Sequence, residues 1–123
     1  MKKVLLSVLI CVGLVASAHA TTKEFKLVNK TGYTQTISQL YLTKQNGQAL
    51  TNPSPVPDFV LSNGVTKTIT LLSTTTDPFL CQLHAFSLEL GDFDVANNVT
   101  FYPPDTYALK YDSLLNIMTI TKQ

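Results

Sequence analysis

The residues best suited to chemistry lie close together. Cys81 and His84 stand three apart in the stretch CQLHAFSLEL, and beyond residue 20 they are the only cysteine and the only histidine. A Cys-x-x-His pair could begin a metal site, or could supply a thiolate activated by an imidazole. Both readings meet a geometric objection. Side chains alternate faces along a strand, so residues three apart point to opposite sides of a sheet. Zinc or copper would also need further soft or imidazole ligands, and only Met118 and carboxylates remain. Flanked by Leu80 and Leu83, Cys81 is expected to be buried, with His84 on the opposite face.

The stretch ELGDFD brings Glu89, Asp92 and Asp94 together. These three could begin a calcium site, which takes six to eight oxygens from carboxylates and carbonyls. The shortage of further ligands favours a solvated hairpin turn, with Gly91 supplying an unusual backbone angle. No serine or cysteine stands in a recognisable protease arrangement, and one histidine cannot serve several roles. A glycosidase-like carboxylate pair would need a deep cleft, and no tryptophan is present to stack on sugar. The expectation is a protein that is not an enzyme, with no catalytic residues, no cofactor and no committed metal site.

The elements that would hold these residues begin after a leader. MKKVLLSVLICVGLVASAHA opens with two lysines, continues with a short apolar run and ends in Ala18-His19-Ala20. That pattern predicts a signal peptide over residues 1–20, and the run is too short to span a bilayer. Export to the periplasm or exterior follows, with no membrane span after cleavage. Residues 21–123 then form one domain, long enough for a single core. They hold seven lysines, eight acidic residues and no arginine, which makes a nucleic-acid partner improbable. Cys81 alone cannot close an internal disulfide, so stability must come from packing; a bond between chains is the alternative use for its thiol. Asn29-Lys30-Thr31 and Asn98-Val99-Thr100 match glycosylation sequons, read here as chance.

Threonine, valine, isoleucine, tyrosine and phenylalanine recur between closely spaced turn residues, the composition of strands. The predicted strands cover 23–29, 34–43, 65–72, the 81–90 stretch, 98–102, 106–111 and 116–121. The first two are expected to form a hairpin across Lys30-Thr31-Gly32. Asn46-Gly47 is the strongest turn signal. GDFD, YPPD and DSLL are read as later turns. About seven antiparallel strands with turns every 8 to 12 residues suggest a two-layer β-sandwich. Ile37 is out of phase with Leu40 and Leu42, and Leu83 and Ala85 are out of phase with Phe86, Leu88 and Leu90. Bulges near Ser38-Gln39 and Ala85-Phe86 would reconcile them.

TNPSPVPDF holds Pro53, Pro55, Pro57 and Phe59 and cannot be a central strand. Alternating prolines favour an extended, pre-ordered backbone. The segment is either an exposed recognition loop or a crossover between sheets that shields an edge strand.

FKLVNKTGYT (Phe25 to Thr34) resembles the opening strand and turn of small exported bacterial β-sandwich proteins of uncertain function. LSNGVTKTITL (Leu61 to Leu71) resembles a stretch leading into a strand in immunoglobulin-like sandwiches. PPDTYAL (Pro103 to Leu109) resembles the approach to a late strand in such folds. The resemblance implies an immunoglobulin-like sandwich with Tyr107 as a corner tyrosine, although the paired cysteines of that family have no counterpart here. A fold so widely shared carries no activity with it.

Together these observations point to a non-enzymatic exported binding module of the bacterial envelope or exterior, with an unidentified protein or surface ligand as partner. The alternatives are an assembly subunit of a surface or envelope structure, or a small enzyme inhibitor acting through the 52–59 loop. Oligomeric state is left open by the sequence.

Overall fold

The computed structural model describes residues 23–73, 77–102 and 106–123. The predicted leader over 1–20 lies outside them, as do parts of the STTTDP and YPPD links. The described chain is all-β, with no helix and hence none long and apolar enough to cross a membrane. It runs through β1 (Glu24–Asn29), β2 (Gln35–Lys44), β3 (Phe59–Leu61), β4 (Thr66–Thr70), β5 (Phe79–Ser87), β6 (Gly91–Phe101), β7 (Thr106–Asp112) and β8 (Ile117–Lys122). Two four-stranded sheets result, ordered β4-β1-β7-β8 and β3-β2-β5-β6.

The two-layer sandwich expected from strand spacing is present, with several corrections. The strands number eight rather than seven. The addition, β3, is three residues long and follows Pro57, so it left little signal. β1 and β2 form no hairpin: they lie in different sheets, and the turn between them crosses the sandwich. The sheets are not wholly antiparallel, because β1 pairs with β7 in parallel. In immunoglobulin constant domains the first two strands are sheet neighbours. The order here departs from that arrangement.

Alternation decides which side chains face the core. Phe25 and Leu27 of β1, Ile69 of β4 and Leu71 just beyond it are buried, while Thr66, Thr68 and Thr70 are exposed. One end of the core is aromatic. Phe101 stacks on Tyr107 with centroids 4.1 Å apart, Phe25 stacks on both, and Phe79 meets Phe25 edge-on at 6.0 Å. These four rings come from four strands in both sheets. Each such pair contributes about 0.5–1.5 kcal/mol beyond its buried area.

The bulge expected near Ser38-Gln39 is there. Ser38 pairs with His84 and Tyr41 with Gln82, so β2 carries one extra residue, and Gln39 adopts φ 51°. The extra residue turns Leu40 and Leu42 inward with Ile37, and all three are buried. The bulge expected at Ala85-Phe86 is absent. β5 pairs without interruption from His84 to Phe86 on both sides. Phe79, Cys81, Leu83, Ala85 and Ser87 all face inward, and Phe86 and Leu88 simply point to solvent. The irregularities in the pairing of β5 with β6 lie on β6, opposite Cys81 to His84, where Asn98 adopts φ 57°. GDFD is the start of β6 and not a turn. The turn is Leu88 to Leu90, closed by Gly91 at φ 89°, as its glycine suggested.

Candidate functional site

Two groups of polar residues warrant examination as sites, one buried and one exposed. The buried group sits where β1 crosses to β2. Asn29 is fully buried, and its amide nitrogen donates to the carbonyls of Tyr33 (2.7 Å) and Leu61 (2.8 Å). Its side-chain oxygen accepts from the Thr31 backbone N–H (2.9 Å) and the Thr31 hydroxyl (2.7 Å). Gln35 Nε2 donates to Thr31 Oγ1, and Gly32 N–H donates to Asn63 Oδ1. The N-x-T-G spacing of the resembled motif is thereby explained as architecture. Asn29 stitches the crossover to the end of β3, Thr31 bridges Asn29 and Gln35, and Gly32 takes φ 91°. With its amide enclosed, Asn29 is not open to glycan addition in the folded protein.

The exposed group lies on the outer face of the β3-β2-β5-β6 sheet. Cys81 and His84 are on opposite faces of β5. Cys81 is buried in the core, and that burial pushes its thiol up to about 12. Such a thiol is protonated at neutral pH and unreactive. His84 projects outward, with Nε2 3.5 Å from Asp94 Oδ1 and Nδ1 4.0 Å from Asp92 Oδ1. Asp92 and Asp94 share a face because they are two apart on β6, and the register sets them opposite Phe86 and His84. Glu89 stands apart in the turn. Among the described residues no group of three His, Cys, Asp or Glu side chains is placed to hold a metal ion. The structure brings Asp92 and Asp94 together, around a histidine and not around a carbonyl-lined cage.

Sequence reasoning missed the apolar neighbours of this group. Tyr41 and Phe86 are exposed on the same outer face, as is Val60 of β3, and Leu88 at the turn is 90% exposed. The signal was available in the second apolar phase of LHAFSLEL, which marks an apolar outer face. Tyr41, Thr43, Leu80, Gln82 and Asn98 line an open recess of about 220 Å³ farther along the sheet, braced by a 3.0 Å bond from Gln82 Nε2 to Asn98 Oδ1. A second recess of about 260 Å³ lies between Lys44, Leu50 and Phe79. Both are smaller than the roughly 300–1,000 Å³ typical of small-molecule sites.

The proline-rich segment is placed differently from expectation. It leaves β2 and returns to β3 of the same sheet, so it is no crossover. Residues 51–55 form bends instead of an extended arm, with cis bonds at Asn52-Pro53 and Ser54-Pro55. It does cover an edge: Thr43 bridges to Ala49 and Leu40 to Val56 along the side of β2. Pro53, Pro55 and Pro57 are exposed. Phe59 belongs to β3, pairs with Ile37 and lies under the Lys67 ammonium, 5.2 Å from the ring centroid.

Comparison with known proteins returned no matching family model, no matching curated protein and no matching solved structure.

Proposed function

We propose that the protein is a non-enzymatic exported binding module, acting in the periplasm or outside the cell, whose contact surface is the outer face of β2, β5 and β6. One observation carries this reading: Phe86 lies exposed on the sheet surface opposite Asp92, beside the His84–Asp94 pair, and exposed Leu88 stands in the turn that follows. Apolar and aromatic side chains edged by charge are the composition of protein contact surfaces. The partner that fits is a protein with an apolar centre and basic residues at its rim. The immunoglobulin-like subtype enters this proposal only in its broad sense, a two-layer sandwich with a corner tyrosine.

The test is photo-crosslinking in the producing cell. A photoreactive side chain at Phe86 should capture one discrete envelope or extracellular protein. The same group at Thr68, on the outer face of the other sheet, should not. Identical adduct patterns at the two positions, or no adduct at Phe86, would sink the reading.

A further inference from the structure

An asparagine followed by glycine can react with its own backbone, because glycine brings no side chain to crowd the ring that forms. The chain holds two such pairs, Asn46-Gly47 and Asn63-Gly64. Both stand in turns, both asparagines are exposed, and the glycines take φ 89° and 83°. Exposure and backbone conformation do not separate the two. Their hydrogen bonds do.

At Asn63 both reacting groups are tied to a distant part of the chain. Asn63 Oδ1 accepts from the Gly32 N–H at 2.9 Å, which holds the side-chain carbonyl on the crossover from β1 to β2. The Gly64 N–H donates to the Asn29 carbonyl at 2.6 Å, and the Asn29 N–H donates to the Val65 carbonyl at 3.1 Å. Asn29 is fully buried, so freeing the Gly64 nitrogen means opening the crossover. At Asn46 the ties are local. Asn46 Oδ1 accepts from the Gln48 N–H at 3.0 Å, so the side chain folds back along its own backbone past Gly47. Such an Asx turn sets the side-chain carbonyl beside the next peptide group and polarises it. The Gly47 N–H donates to the Lys44 carbonyl at 2.9 Å, within the same exposed loop. A short exposed loop frays at little cost, whereas a buried junction opens only with much of the fold.

We infer that Asn46 is a self-modifying site, and that the fold withholds the same chemistry from Asn63. The Gly47 nitrogen loses its proton to water and attacks Asn46 Cγ. The bond from Cγ to Nδ2 breaks, and Nδ2 leaves as ammonia with a proton returned to it. A five-membered imide remains. Water opens the imide at Cγ to give aspartate, or at the Asn46 backbone carbonyl to give isoaspartate. Either product replaces a neutral amide with a carboxylate. Isoaspartate also adds a methylene to the backbone at the head of the arm along β2, which the Leu50 N–H to Leu42 carbonyl bond and the Thr43–Ala49 bridge hold in place. This inference is independent of the outer-face reading, because the reaction needs no partner.

Trypsin leaves both asparagines on one peptide, Gln45 to Lys67, so each serves as the other's control. The folded protein is aged at mildly alkaline pH, digested, and sequenced by fragment ions that distinguish isoaspartate from aspartate. Asn46 should convert roughly tenfold or more faster than Asn63 and give both products. The same ageing of the synthetic Gln45–Lys67 peptide should bring the two rates together. Equal rates in the folded protein, or a faster Asn63, would overturn the inference. So would an Asn46 that stays intact in the folded protein while the free peptide reacts. A gap that persists in the free peptide would trace the difference to neighbouring residues and not to the fold. Aspartate formed without isoaspartate would rule out the ring.

Discussion

The Tyr107 hydroxyl accepts a hydrogen bond from the Tyr102 backbone N–H at 2.9 Å, spanning the corner between β6 and β7. The bond ties the ring to backbone five residues upstream and anchors it where it already stacks on Phe101. Tyr107→Phe keeps the stacking and removes the bond. It should cost about 1 kcal/mol, read as a fall of about 4–8 °C in melting temperature. No change would mean that the bond is replaced by water at no loss.

Asn29 should be among the least replaceable polar residues. Asn29→Ala leaves the buried Thr31 groups and the Tyr33 and Leu61 carbonyls short of partners, at about 1–3 kcal/mol for each unsatisfied group. Asn29→Asp can still accept from Thr31 but cannot donate to the two carbonyls. Both variants should lower the urea midpoint by far more than Asn98→Ala, whose site is exposed.

Gln39 occupies a backbone conformation that suits glycine, at φ 51°. Gln39→Gly should be neutral or stabilising by about 0.5 kcal/mol, and Gln39→Val destabilising by more than about 1 kcal/mol. Deleting Gln39 should be tolerated, because removing the extra residue restores strict alternation and leaves Ile37, Leu40 and Leu42 all on the core face. Chemical denaturation of the three variants checks the order.

Cys81 predicts an alkaline effect. Its thiol titrates near 12 when folded, against an ordinary value of about 9. Between those values the unfolded chain has lost a proton that the folded chain keeps. Stability from this group is thus complete below pH 9 and is lost as pH rises toward 12. Cys81→Ala should lose less stability than the parent between pH 9 and 11 when both are unfolded by urea. The parent thiol should resist alkylation at neutral pH until the protein unfolds.

Much of the sandwich was legible because alternation is a local property. Phe25 and Leu27, or Ile69 and Leu71, reveal their inner face within a few residues, and Gly91 and Asn46-Gly47 mark turns by backbone demands that few other residues meet. The slip at Ser38-Gln39 was readable because both flanking phases are core phases. The apparent slip at Ala85-Phe86 misled for a related reason: Phe86 and Leu88 are apolar yet exposed, and no local pattern separates an exposed apolar residue from a buried one. β3 was missed because three residues after a proline carry no periodicity.

By itself the sequence determined most of the strands and that Cys81 and His84 take opposite faces. Alternation is enough for those conclusions. Only the tertiary structure decided that β1 and β2 part into different sheets, that β1 runs parallel to β7, and that Asp92 and Asp94 flank His84. It alone decided that Phe86 and Leu88 face solvent and that β8 ends its sheet close beside β6. These are pairings between distant segments, selected by how two four-stranded layers share one core, and no window of neighbouring residues contains them.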